Sequence, residues 1–258
     1  MPTDRVRMSS PAPRIDPERS LLDHLAELRL RLLRSVAAVA VVLVLLMPFA
    51  RALYGLLARP LMRHLPEGAG MVAIDVASPF LAPFKLTLIV ALVVAMPFVI
   101  YQLWAFVAPA LYRHEQRLAR PLLVMAVGLF YAGCAFAYFV VFPLAFAFFA
   151  SMAPEGVVVM TDINRYLGFV MMLFFAFGLA FQVPVAVIIL VALGATTPAS
   201  LTRVRGYVVI GAFVIGMLLT PPDVVSQTLL AVPILLLYEL GIIMARLLVT
   251  TRRDQASS

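Results

Sequence analysis

Lysine is almost missing from this sequence. Lys85 is the one lysine in 258 residues, and the rest of the positive charge is arginine. Charge of either sign is scarce, at 13% of residues against about a quarter in an ordinary soluble domain. A chain so poor in charge and 64% hydrophobic cannot clothe itself in solvated side chains, which excludes a soluble domain. Cysteine occurs once, as Cys134 in an apolar run, so there is no intrachain disulfide framework. The histidines, His24, His64 and His114, are scattered and give no metal-ligand spacing. HExxH, GxSxG and P-loop patterns are absent, so nothing points to an enzyme, a metal or another cofactor.

What the chain has is apolar sequence in long blocks, with a mean hydropathy of +1.04. That predicts an all-α polytopic membrane protein built as one bundle. The net charge of +7 and the pI near 10.1 are explained by arginines flanking apolar spans, so no nucleic acid is expected. Residues 1–15 read as a disordered tail, 16–246 as the membrane domain and 247–258 as a second tail. About thirty residues rich in polar types precede the first span, which argues against a cleavable signal.

Six spans are predicted. The first runs from Leu32 to Phe49, and LYGLLARPLMRHL at 53–65 suits a short interfacial helix. The second follows Ser78-Pro79; its uncharged stretch from Leu86 to Tyr112 makes about 40 Å of helix, more than the ~30 Å hydrocarbon core, so tilt or a kink is expected. Residues 108–120 read as a charged loop. The third span covers Pro121–Phe149 and the fourth Tyr166–Leu193, with residues 194–205 as the next loop. Pro97, Pro143 and Pro184 are kink sites. Gly206–Leu219 spans only about 21 Å, so it and the sixth span, Val224–Ala245, form either a pair of short crossing helices or a re-entrant hairpin; short crossing helices in a locally thinned bilayer are favoured. An even number of spans leaves both termini on one side. That side carries fifteen arginines, and the other has Arg51, Arg59, Arg63 and Arg165 with Lys85, which predicts cytoplasmic termini.

Leu21–Arg34 is amphipathic. Asp16-Pro17 offers an N-cap and an N1 proline, and Leu21, Leu25, Leu28 and Leu32 share a face. On the other face Glu27 stands among Arg29, Arg31 and Arg34. Glu115 is the one acid of the 108–120 loop. Two carboxylates at one membrane edge suit guanidinium binding, which is bidentate; internal pairing, Glu27 with Arg31 and Glu115 with Arg113, Arg117 or Arg120, is the alternative. Glu239 reads as snorkelling or paired with Arg246. Tyr101, Trp104, Phe106 and Tyr112 partly fit an interfacial aromatic belt. A small-solute secondary transporter is the other function class. It would need a midplane site, for which Gln182-Val183-Pro184 is the one candidate.

HLAELRLRLL at 24–33, ASPFLAPFKL at 77–86, YQLWAFVAPALYRHEQR at 101–117, FAYFVVFPLAF at 136–146, FQVPVAV at 181–187 and GMLLTPPDVVSQTLLAVP at 216–233 resemble the twin-arginine translocase C subunit (TatC) family across residues 21–246. The resemblance implies a concave six-helix bundle in the cytoplasmic membrane. It implies a non-enzymatic receptor that exports folded proteins on the proton-motive force. Expected partners are twin-arginine signal peptides of folded cargo, single-span TatA/TatB-type subunits, further copies of the chain and membrane lipid. By position, Glu27 and Glu115 match the acidic pair that binds the signal arginines. Leu28, Arg29, Arg31, Phe106 and Tyr112 match the same recognition region. Pro60, Tyr138 and Asp223 match positions tied to translocation or to outer span ends, and Met217, Thr220 and Gln227 match a polar patch where a partner helix docks. Gln182 replaces an intramembrane Glu common in the family. It keeps hydrogen-bonding capacity without titrating, which suits a polar group that bonds a partner helix.

Overall fold

The structure, a computed structural model, describes residues 17–56, 71–74, 76–112, 116–151, 161–219 and 224–256. Helix α1, Pro17–Leu46, opens on its proline, where the missing N–H has no intrahelical partner to lose. A 3-10 turn at Met47–Phe49 carries Pro48, and the path is helical again through residues 50–56. The expected interfacial segment at 53–65 therefore begins as a continuation of the first span; its remainder lies outside the described residues. Along Leu25–Leu56 Ser35 is the one buried residue, and Val36, Val44 and Leu45 stay exposed, as a lipid-facing helix at the margin of a bundle requires. Its main packing is along α2.

Helix α2, Ser78–Tyr112, has 35 residues and runs without interruption through Pro97. At about 52 Å it exceeds the hydrocarbon core and reaches beyond it at one or both ends. Helix α3, Gln116–Phe136, follows after three residues. The charged loop expected at 108–120 is thus mostly two helix ends. Charge marks a segment as bathed in water but does not break its helix, and Gln116–Arg120 are good helix formers.

The third span is interrupted where sequence gave only a proline. A π-turn at Ala137–Val141 separates α3 from α4, Phe142–Ser151, and the Phe142 N–H reaches back five residues to the Ala137 carbonyl. Pro143 in a plain α-helix would press its ring on the carbonyl of Phe139; the widened turn relieves that clash. The fourth span breaks at Phe181-Gln182, between α5 (Ile163–Ala180) and α6 (Val183–Ala192). Pro184 has no N–H for Ala180, and the Gln182 N–H bonds the Leu179 carbonyl at 2.9 Å in a tightened turn.

Helix α7, Pro198–Arg203, lies inside the expected 194–205 loop and is capped by Thr197, whose Oγ1 accepts from the Ser200 N–H at 3.2 Å. Helix α8, Arg205–Leu219, has 15 residues, or about 22 Å. Helix α9, Val224–Ala256, has 33 residues and contains a 21-residue apolar span, Gln227–Leu247. Shortness is therefore confined to α8. The helix stays regular past Ala245, so α9 has the length to cross, and the expected tail at 247–258 is helical through Ala256. Among the described residues five helices are long and apolar enough to cross a membrane, with α8 a shorter sixth apolar helix.

The core lies between α2, α3, α5, α6 and α9. Leu86, Val141, Phe142, Leu167, Phe177 and Leu230 form one cluster, and Trp104, Phe130, Val185 and Ile188 another. Helix α9 packs on α6 through Val187, Tyr238 and Ile242. Backbones approach where side chains are smallest: a Cβ on Gly133 would sit 2.6 Å from the Phe177 carbonyl oxygen. At one end of the bundle Met71–Val72 (β1) pairs in parallel with Thr161–Asp162 (β2). Beside this bridge Asp162 caps α5, and the Asn164 amide donates to the Ser78 hydroxyl at the start of α2.

Candidate functional site

Glu27 sits near the N-terminal end of α1, one turn before Arg31 on the same face. Arg31 donates to Glu27 Oε1 twice, from Nε at 3.0 Å and from Nη2 at 2.5 Å. The pair expected as the alternative to ligand binding is present. It does not close the carboxylate. Both bonds converge on Oε1, so among the described residues Oε2 is left open, and the Glu27 side chain remains 39% exposed. Arg31 is more enclosed, and the Ser35 hydroxyl donates to its carbonyl at 2.9 Å. Leu28 and Arg29 are exposed beside the pair.

Helix α1 packs along α2. Phe106 lies in the last two turns of α2, half-buried, and Tyr112 is the last residue of α2. Glu115 lies outside the described residues, as do Pro60, Thr220 and Asp223.

The second group of expected residues gathers on α8 and α9. A Cβ on Gly216 would lie 3.3 Å from the Gln227 carbonyl oxygen, so α8 and α9 nearly touch backbone to backbone at this level. Met217, next along α8, is 51% exposed, and Gln227 is half-buried. The structure thus brings Met217 and Gln227 to one place, where the end of α8 meets the start of α9. Tyr138 is elsewhere, in the π-turn of the third span, edge-on to Phe139 with ring centroids 4.9 Å apart. An apolar groove of about 660 Å³ runs between that turn and α9, lined by Phe136, Val140, Leu144, Val224, Thr228 and Val232.

Gln182 occupies the break between α5 and α6. Its Nε2 donates to the Ala126 carbonyl of α3 at 3.0 Å. The amide that sequence assigned to a partner helix therefore bonds within its own chain, because the break swings position 182 towards α3. It also lines an apolar cavity of about 270 Å³ with Met96, Trp104, Phe130 and Leu179.

Glu239 is held by Arg205, Nη2 to Oε2 at 2.6 Å, and not by Arg246 as expected. Arg246 lies seven residues away, about 10 Å along α9, whereas α8 packs on α9 and starts at Arg205. Tyr238, which sequence analysis passed over, donates from its hydroxyl to the Leu201 carbonyl at 2.9 Å and ties α9 to α7. Only its place beside Glu239 hinted at this.

Comparison with known proteins is consistent along the chain. The sequence model of the family described as "Sec-independent protein translocase protein (TatC)" matches residues 23–233. A protein of that name from Azotobacter chroococcum mcd 1 is 60% identical over 230 residues, covering 89% of this chain and 90% of the relative. Its namesake from Escherichia coli (strain K12) is 54% identical over 241 residues, 93% of each chain. Two solved structures of the "Twin Arginine Translocase Receptor- TatC" superpose with TM-scores of 0.77 and 0.79 at 37% identity; they cover 87% and 86% of this chain, which in turn spans 98% and 99% of theirs. The secondary-transporter alternative falls with these matches. The chain is a twin-arginine translocase component and belongs to the TatC family of Sec-independent protein translocase proteins.

Proposed function

We propose that the chain is the signal-peptide receptor of its translocase, with both termini in the cytoplasm and the bundle in the inner membrane. Glu27 and Glu115 each take one guanidinium of the paired arginines, Leu28, Arg29 and Arg31 shape the approach, and Phe106 and Tyr112 flank the peptide. The observation that carries this is Glu27 Oε2, a carboxylate oxygen at the edge of the first span that no described residue engages while Arg31 occupies Oε1. Arginine suits the geometry because its planar fork bonds a carboxylate with two donors, where lysine makes a point contact. Folded cargo is driven across by the proton-motive force, and no bond in it is made or broken. Single-span TatA/TatB-type subunits dock at Met217, Thr220 and Gln227, beside Asp223. Tyr138 and Pro60 belong to the translocation path, Gln182 clamps the fourth span to α3, and further copies of the chain complete the assembly.

Photocrosslinking of Arg-Arg and Lys-Lys signal peptides in membranes tests this. Glu27→Ala and Glu115→Ala are expected to erase the preference for the arginine pair. A preference left intact in both variants rejects the assignment.

A further inference from the structure

A cavity at the C-terminal end of the fourth span, away from the π-turn that packs near its start, has no part in that function. It lies where α6 ends and α7 begins, holds about 600 Å³ and is the most polar of the cavities described here. Gly194 makes the corner: at φ +73° it ends α6 in a left-handed turn, with its N–H on the Val191 carbonyl at 3.0 Å and the Ala195 N–H on the Leu190 carbonyl at 3.0 Å. The chain then passes Thr196 and Thr197 into α7, while Arg246 of α9 forms the opposite wall. The other side is apolar, from Val191, Pro198 and Ala199.

These walls carry complementary chemistry. Arg246 brings a guanidinium, two of whose donors suffice for a phosphate oxyanion. Thr196 adds a hydroxyl. The nearest acid of α9, Glu239, is already held by Arg205. The volume is in the range that admits organic ligands and far exceeds a bare ion. The corner also lies at the end of the apolar span Gln227–Leu247, where lipid headgroups meet water.

We propose that this cavity binds a phosphate oxyanion, supplied by the headgroup of an anionic phospholipid whose glycerol lies on the Val191–Ala199 side. Whether the chain recognises signal peptides is a separate matter, and the test below does not pass through it.

Native mass spectrometry of the purified full chain in detergent, titrated with phosphatidylglycerol or with diacylglycerol, reads occupancy directly. Phosphatidylglycerol adducts are expected and diacylglycerol adducts are not. Arg246→Gln is expected to lower phosphatidylglycerol occupancy about tenfold, as the loss of a charge-assisted bond would. Thr196→Val is expected to lower it a few-fold, and carries the test should Arg246→Gln fold poorly. Arg203→Gln, on α7 but outside the cavity lining, should change nothing. Equal occupancy by diacylglycerol, or unchanged occupancy in both cavity variants, overturns the site. Displacement of the lipid by millimolar inorganic phosphate overturns the lipid as the source; resistance to it supports the headgroup.

Discussion

Replacing Gln182 by leucine isolates one hydrogen bond inside the membrane. In the native chain the Gln182 amide donates to the Ala126 carbonyl at 3.0 Å, across the break in the fourth span. Interhelical hydrogen bonds of this kind contribute about 0.6 kcal/mol on average and about 1.7 at most, because lipid-solvated helices find other partners when they separate. Leucine has nearly the same volume, so cavity and strain terms stay small. It also leaves no amide without a partner in the apolar cavity it would line with Trp104 and Phe130. The Ala126 carbonyl keeps its own helix bond, so its loss is partial. The net expectation is a destabilisation of about 0.5–1.5 kcal/mol. Equilibrium unfolding of the purified chain in mixed micelles measures it, and transport of a folded reporter in cells is read in parallel. A clamp predicts a small loss of stability with transport reduced no further than that loss explains. Unchanged stability, or abolished transport at native stability, would refute the clamp and give the amide to a partner.

Two further predictions rest on packing and on length. A Cβ on Gly241 would lie 2.9 Å from the Pro184 Cα and 3.2 Å from the Val187 Cβ, so Gly241→Val should cost about 1–3 kcal/mol and lower the thermal midpoint of the detergent-solubilised chain; an unchanged midpoint would mean that α9 and α6 are not in backbone contact there. Helix α8 is about 22 Å long, so inserting one apolar turn should remove whatever bilayer thinning it imposes and impair transport of folded cargo, and full activity would show that its shortness is incidental.

Much of the fold was legible because membrane spans announce themselves by length and hydropathy alone. The break in the fourth span followed from Pro184, and the Glu27–Arg31 pair from helical spacing. The errors have common causes. The 108–120 stretch was misread because charge reports the solvent, not the backbone. The π-turn at Ala137–Val141 was invisible because nothing in a sequence says how a helix relieves its proline. The partners of Glu239 and Gln182 were missed because Arg205 and the Ala126 carbonyl are brought near by helix packing. Of the candidate site, Glu27 could be picked out as an acid among arginines; that both Arg31 bonds fall on Oε1 is a matter of side-chain geometry.

The receptor reading turns on whether those two acids distinguish guanidinium from ammonium. Fluorescence anisotropy of an Arg-Arg peptide and its Lys-Lys counterpart, titrated with the purified chain and with Glu27→Gln and Glu115→Gln, measures this most directly. Hydrogen bonds to charged groups contribute about 1.5–3 kcal/mol each, and binding at Oε2 leaves the Arg31 bonds to Oε1 in place, so the native chain should prefer arginine by a factor of ten or more. Either variant should shrink that preference to a few-fold. Equal binding of both peptides by the native chain, or an undiminished preference in both variants, would contradict it.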